Sequence, residues 1–536
     1  MRENLLKSMA WKKALFLSCL LVGLPLLARD RPNVVVIMTD DMGYSDLGCY
    51  GGEIETPHLD KLAKGGIRYT QAYNTSKCWT TRISLLTGLY HIQSGRDFQH
   101  TALVSEVLGP AGYQCWWSGK HHANFNPHER GFHHFSGFLG GAINFWNPGN
   151  ARPGEPKPGW GSNYAWAFDD KIVQSYTPDK DFYATDRFTD WALAWLDEEQ
   201  GKDKPFFLYL AYNAPHWPLH AHAKDIAKYE NTYRKGYESV RKARYARQVK
   251  MGLFDPKIAP LSDPGQGAAE WNALDEKTRG LESMRMATHA AMVDNVDQNV
   301  GRLLAKLEKQ GKLDNTLILF LVDNGASAER TLGKAPQHEW GTVGTFQAIG
   351  RHWANVANTP MRLWKATSHE GGINTPLIAH WPAGISKPGT ICRETCHLID
   401  FLPTWMELAG PKAQYPGNSK QEEIPPLEGI SMVPSFHGKP LKRERPLFFA
   451  YGSGKAIRQD DWKLVRNRSQ DWELYDLSKT RTETKNLAKA LTQRVATMTA
   501  TYEAWATSYL SKSYSVKQSG KKKPKDKKKK DKKPKN

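Results

Sequence analysis

The chain has 536 residues, of which 40% are hydrophobic and 11% aromatic, and its formal net charge is +19 at pH 7. That length suits one large domain and a smaller one, and the aromatic content excludes a chain that is mostly disordered or fibrous. Six cysteines are too few for a disulfide-stapled scaffold.

In chain order, the N-terminus offers Lys12 and Lys13, then an apolar stretch from Ala14 to Ala28 with small residues near its end. This predicts a secretory signal peptide over 1–28 and an exported, periplasmic or extracellular protein. The stretch is too short to span a membrane, and no other segment reads as transmembrane. Phe16-Leu17-Ser18-Cys19 matches a lipoprotein cleavage box only loosely.

Asn33-Val34-Val35-Val36-Ile37-Met38 is a β-branched run that does not alternate, which predicts a buried parallel strand. It ends in Asp40-Asp41. Next comes Cys78-Trp79-Thr80-Thr81-Arg82, opening the helix start Ile83-Ser84-Leu85-Leu86-Thr87-Gly88. Trp117-Ser118-Gly119-Lys120-His121-His122 places a lysine before two histidines. Asp186 to Leu196 reads as an amphipathic helix. The strand Pro205 to Leu210 leads to Asn213-Ala214-Pro215-His216-Trp217.

The charged segment 221–285 reads as a helical insertion at the mouth of a site. Met292, Val296, Val300, Leu303 and Leu307 recur at helical spacing, as a core face. A second buried strand, Thr316 to Val322, ends in Asp323-Asn324-Gly325. Lys365 precedes Glu370-Gly371-Gly372 and the strand Thr375 to Pro382. A helix from Leu398 to about Gly410 is followed by a Pro/Gly-rich stretch, 411–426. Three aromatic runs, 446–451, 461–465 and 472–477, predict a small antiparallel subdomain closed by a helix near 491–509. The tail from Gly520 to Asn536 holds eleven lysines and no large apolar residue, so it buries no core.

Taken singly, these pieces have ordinary explanations. Asp-Asp after a strand is commonly a helix cap, and Asp-Asn-Gly is usually a turn. Lys120 and Lys365 read as solvated charges, and His216 as a structural histidine. Together and in this order they resemble the type I, formylglycine-dependent sulfatases of the alkaline phosphatase superfamily. The resemblance runs from about Pro32 to Trp505, although Thr80 stands where the family pattern has proline or alanine, and His121 replaces an aromatic residue.

That resemblance implies an alkaline-phosphatase-like three-layer α/β/α sandwich with a small C-terminal antiparallel α+β subdomain. It implies a secreted sulfatase acting on a sulfated carbohydrate or an aryl sulfate. Cys78 would be converted to formylglycine by a maturation enzyme, and its hydrate would attack sulfur. Asp40, Asp41, Asp323 and Asn324, with Cys78, would hold one calcium ion. Arg82, Lys120 and Lys365 would cradle the sulfate, His216 would protonate the leaving oxygen, and His122 would take a proton from the second hydroxyl. Oxygen donors of this kind suit a hard divalent cation.

The expected layout is a catalytic domain over 30–425, a C-terminal subdomain over 426–510 and a Lys-rich tail over 511–536. Asn144-Phe145-Trp146-Asn147, Trp217 and the insertion are candidates for a sugar subsite. Cys392 and Cys396 are close enough in sequence for a short disulfide. The tail reads equally as a tether to polyanions or as a solvated end. Nucleic-acid binding is not expected, since the chain has no basic helix or aromatic binding motif. Two other readings remain open on sequence: a phosphodiesterase or phosphonate hydrolase of the same superfold, and an inactive glycan-binding relative.

Overall fold

Val34, Val36 and Met38 pack into one apolar cluster, whereas Val35 and Ile37 pack into another. The same division holds for Phe207 and Tyr209 against Leu208 and Leu210, and for Leu317 and Leu319 against Ile318 and Phe320. Alternation exists in space but not in the sequence, because both faces of these strands are covered. A computed structural model of the chain describes residues 31–94, 98, 100–159, 164–263, 270–329, 338–416, 424–468 and 470–510. The expected signal peptide, the Cys19 box and the Lys-rich tail lie outside the described residues.

The strands are β1 (Asn33–Thr39), β2 (Ile67–Tyr69), β3 (Ala72–Tyr73), β4 (Gln114–Lys120), β5 (His134–Phe138), β6 (Trp166–Phe168), β7 (Lys171–Val173) and β8 (Phe206–Ala211). After them come β9 (Thr316–Val322), β10 (Leu377–His380), β11 (Thr390–Cys392), β12 (Cys396–His397), β13 (Leu447–Tyr451), β14 (Gly454–Gln459), β15 (Trp462–Arg466) and β16 (Glu473–Asp476). Ten of them form one sheet in the order β11-β2-β10-β9-β1-β8-β4-β5-β6-β7. The run β9-β1-β8-β4-β5 is parallel, while β10 lies antiparallel between β9 and β2.

The helices that matter for the site are α1 (Cys78–Thr87), α2 (Ala184–Glu198), α3 (Ala223–Tyr229), α4 (Tyr237–Lys250), α5 (Glu276–Lys309), α6 (Phe401–Ala409) and α7 (Thr492–Leu510). Phe188 and Ala192 of α2 and Met292, Val296 and Val300 of α5 cover one face of the sheet. Ile83 and Leu86 of α1 and Leu402 and Trp405 of α6 cover the other. The result is the three-layer α/β/α sandwich.

Segment 221–285 supplies α3, α4 and the first turns of α5. Arg244 of α4 is fully buried and pairs with Asp46 at 2.6 Å and Glu53 at 2.7 Å. Gln248 donates to the carbonyls of Tyr50 and Thr359. The insertion therefore grips the chain that leaves β1 just beyond Asp41. Among the described residues no helix is long and apolar enough to cross a membrane.

At the C-terminal end, β13-β14-β15-β16 form a separate antiparallel sheet backed by α7. Phe448 stacks on Trp505 with centroids 4.4 Å apart. This sheet is tied to the main body by buried charge. Lys463 Nζ lies 2.8 Å from Glu370 and 2.8 Å from Glu483, and Arg481 also pairs with Glu370. Glu370 opens the turn that follows Lys365.

Two expectations are corrected here. Cys392 and Cys396 are both free thiols, on separate strands whose partners are β2 and β3. Phe145, Asn144 and Asn147 are buried and structural, since the Asn144 amide donates to the carbonyls of Gly159 and Val343. Trp146 spends its indole N–H on the Gly341 carbonyl. Trp217 borders the site, with its ring against His216.

Candidate active site

The parallel pairing of β1 with β9 decides where the acids meet. Thr39 lies opposite Val322, so Asp40-Asp41 and Asp323-Asn324 leave the sheet side by side at its carboxyl edge. The Asp41 N–H donates to Asp323 Oδ1 at 3.3 Å. Asp41 has a left-handed backbone (φ 67°), which turns its carboxylate back over the strand ends. Strain of this sort collects at functional sites.

Cys78 is the first residue of α1. The preceding Ser76 is also left-handed (φ 64°), and its carbonyl accepts from the Ala366 N–H at 2.8 Å. The Thr81 hydroxyl donates to the Asp323 carbonyl at 2.6 Å. These bonds aim the α1 N-terminus at the two acids and draw the Lys365 loop onto it. Thr80 bonds the Thr75 hydroxyl and the Lys77 carbonyl, completing the turn before the helix.

Three cations close the ring. Arg82, four residues into α1, reaches Asp323 Oδ2 at 3.2 Å and the Tyr209 hydroxyl at 3.2 Å. Lys120, at the end of β4, pairs with Asp40. Lys365 pairs with Asp41. All three side chains are almost wholly buried, so neither lysine is the solvated charge that it suggests when taken alone. Buried ammonium groups persist only when paired. His216, after β8, sets Nε2 at 3.5 Å from Asp41 Oδ2, and its Nδ1 lies 2.6 Å from the Trp217 carbonyl.

The donor set fits a hard cation. Asp40 Oδ1 and Asn324 Oδ1 are buried and have no hydrogen-bond partner. The Asn324 amide nitrogen is spent on Asp41 Oδ1 at 2.6 Å, which leaves its oxygen free. Ligand atoms of Asp40, Cys78 and Asp323 lie within 4.8 Å of one another, as do those of Asp40, Asp41 and His216. Oxygen donors so arranged match calcium better than a soft metal.

The electrostatics agree with that need. Burial and the neighbouring Asp40 carboxylate push Asp323 up to about 8. Burial alone would raise Asp40 too, but Lys120, His216, Arg82 and Lys365 hold it well below the usual carboxylate range. Asp323 thus favours its protonated form, and a divalent cation bound there would displace that proton. Burial, with the charges of Asp40 and Asp323, pushes the Cys78 thiol up despite Lys120 and Lys365. Burial opposes the Lys365 ammonium, yet Asp41, Cys78, Glu329 and Asp40 together outweigh it and keep the group charged. Burial lowers His216.

Of the residues read from sequence, Asp40, Asp41, Cys78, Arg82, Lys120, His216, Asp323, Asn324 and Lys365 converge. His122 stands two residues beyond Lys120 with a left-handed backbone (φ 69°) and its ring over Gly141. A Cβ on Gly141 would come within 2.5 Å of the His122 ring, so glycine is needed there. His121 is caged by Trp117, Phe125 and Phe135, and burial lowers it to about 3. Sequence reasoning missed Tyr209, Lys77 and Glu329. Glu329 accepts from the Trp217 indole at 2.6 Å and pairs with Lys77 at 3.2 Å, and no local pattern announces it.

The sulfatase family model matches residues 32–411. The chain belongs to the sulfatase family. A second model, the C-terminal region of N-sulphoglucosamine sulphohydrolase, matches this sulfatase over residues 363–504. An arylsulfatase of Klebsiella aerogenes is 33% identical over 440 residues, covering 75% of this chain and 92% of that one. An uncharacterized sulfatase of Schizosaccharomyces pombe is 32% identical over 516 residues, covering 86% and 90%. The crystal structure of Ps i-CgsB in complex with k-i-k-neocarrahexaose matches with a TM-score of 0.64 at 25% identity, covering 89% of this chain and 93% of that chain.

The fold of this sulfatase is therefore alkaline-phosphatase-like, and the protein is a sulfuric ester hydrolase. The family generally uses a cysteine-derived formylglycine and calcium.

Proposed function

We propose that this sulfatase is exported and releases inorganic sulfate from a sulfated carbohydrate or an aryl sulfate. Its nucleophile derives from formylglycine made at Cys78 by a maturation enzyme, and one calcium ion is held by Asp40, Asp41, Asp323 and Asn324. The observation that carries the reading is the meeting of Cys78, Asp40 and Asp323 donor atoms within 4.8 Å, ringed by three buried cations. Once in place, the aldehyde hydrate supplies a hydroxyl nucleophile and the cation stabilises charge on the sulfate oxygens.

The chain's own side chains do the rest. Arg82, Lys120 and Lys365 hold the sulfate oxygens and neutralise them in a dry site, where preorganised charge counts most. His216 donates a proton at Nε2 to the departing oxygen, with Lys365 beside it. His122 accepts a proton from the nucleophile's second hydroxyl at a ring nitrogen. An unmodified thiol suits none of this, because its surroundings keep Cys78 protonated.

A carbohydrate substrate is supported by the oligosaccharide bound to Ps i-CgsB and an aryl ester by the Klebsiella arylsulfatase. We place the catalytic domain at 30–425 and the C-terminal subdomain at 426–510. The Lys-rich tail beyond 511 provides a polyanion contact.

The test is a panel of sulfated oligosaccharides and aryl sulfates scored for released sulfate, run beside matched phosphate esters. The mass of the Cys78 peptide is read on the same protein. Sulfate release by protein whose Cys78 is converted, and its loss in Cys78→Ala, is the expected result. Full activity with an unconverted thiol, or activity on phosphate esters alone, overturns the proposal.

A further inference from the structure

Glu329 sits where three loops converge at the mouth of the site. It lies beyond Asn324 on the β9 loop, and its two carboxylate oxygens are held by different elements. Oε1 is 3.2 Å from Lys77, the residue before Cys78, and Oε2 accepts from the Trp217 indole, the residue after His216. The Trp217 ring lies against His216 with centroids 4.7 Å apart and meets Phe346 edge-on at 5.7 Å.

The side chain of Glu329 is 43% exposed, and that of Lys77 is 18% exposed. Their pair is open to water, and an exposed pair of this kind yields cheaply to a competing ligand. Burial would raise the Glu329 carboxyl, but Lys365, Lys77 and the Trp217 bond carry it down to about 2. The group is therefore a fixed anion at working pH. Lys365 and His216 both act on its charge, and His216 is the proposed proton donor to the leaving oxygen.

An anion at that rim does nothing for the sulfate itself, which Arg82, Lys120 and Lys365 already attract. Its effect falls on whatever the sulfate is attached to. A hydroxyl can donate to the carboxylate while an apolar ring edge rests on Trp217. A second sulfate or a carboxylate near the ester would face like charge.

We propose that Glu329, with Trp217, is a specificity-determining pair that selects neutral, hydroxyl-bearing leaving groups and rejects esters with a second anion beside the sulfate. This rests on the sulfatase reading of the site and narrows its substrate class.

The experiment compares kcat/KM for 4-nitrophenyl sulfate and 3-carboxy-4-nitrophenyl sulfate in wild type, Glu329→Gln and Lys77→Met. A ratio within one enzyme is independent of how much Cys78 has been converted. Wild type should favour the neutral ester by roughly tenfold, the size expected for like charges some 7 Å apart at a partly wet rim. The ratio should fall toward unity in Glu329→Gln and widen in Lys77→Met, which leaves the carboxylate less neutralised. An unchanged ratio in Glu329→Gln overturns this proposal alone. Failure of converted wild type to release sulfate from either ester overturns the reading of the site, and this proposal with it.

Discussion

Lys365 Nζ lies 2.7 Å from Asp41 Oδ1 and 2.8 Å from Asp41 Oδ2, so a single ammonium spans the carboxylate that also faces His216 and Asn324. Removing that ammonium leaves Asp41 with excess negative charge where an anionic substrate must enter. Lys365→Ala should lower kcat/KM by about 10²–10³, the usual cost of one preorganised charge. Lys365→Arg should recover only part of this, because a planar guanidinium cannot replace a point charge. Steady-state kinetics on an aryl sulfate checks both.

His216 has a specific signature as an acid. His216→Asn should slow an ester with a poor leaving group, such as a sugar sulfate, by about 10²–10⁴, while 4-nitrophenyl sulfate loses much less. Equal losses on both substrates would assign His216 to positioning instead.

Calcium binding should carry a pH signature set by the acid pair. Asp323, pushed up to about 8 by burial and Asp40, holds a proton that the ion must displace. Apparent calcium affinity should therefore rise by roughly tenfold per pH unit below about 8 and level off above it. Chelation at neutral pH should abolish activity and added calcium restore it. Calorimetry in buffers of different ionisation enthalpy would show the released proton. A pH-independent affinity would place the ion elsewhere.

Lys463 predicts a stability effect remote from the chemistry. Lys463→Met takes the ammonium partner from Glu483 and leaves Glu370 to Arg481 in a buried site, at a cost of about 3–5 kcal/mol. Burial would raise Glu370, but Arg481, Lys463 and Arg458 hold it well below the usual carboxylate range. Its stabilisation is therefore complete above that range and is lost as pH falls through the lower, folded value. The urea midpoint of the variant should drop at neutral pH and lie nearer to wild type in strong acid.

Much of the site could be read without coordinates because its acids sit directly after apolar runs. Asp40-Asp41 and Asp323-Asn324 terminate strands buried on both faces, and Arg82 follows Cys78 at helical spacing. Lys120 could not be read this way. A lone lysine looks solvated until β4 carries it to Asp40, 80 residues away in sequence. Tyr209 hides inside an apolar strand, and only its hydroxyl, at 3.2 Å from Arg82, reveals a polar duty.

The fold followed the same rule. The buried parallel strands stand out as apolar runs, whereas Gly454–Gln459 carries just Ala456 and Ile457 as apolar residues and becomes a strand through its antiparallel neighbours. The aromatic residues of the run Asn144 to Asn147 suggest a sugar subsite, but its two amides are turned inward. The Asn144 amide serves the Gly159 and Val343 carbonyls, a duty visible only once Val343 lies beside it.

The buried knot around Lys463 also sets a clock. The Cys78 side chain is 2% exposed in the finished protein, so no modifying enzyme can reach it there. The chain that braces the Lys365 loop is made about 385 residues later, which at ribosomal speed is a delay of roughly 20–80 s. On the maturation proposed for Cys78, that interval between translation of the thiol and arrival of Lys463 is when oxidation would have access. A chain that folded first, with its cysteine untouched, would have sealed itself off from that proposed activation.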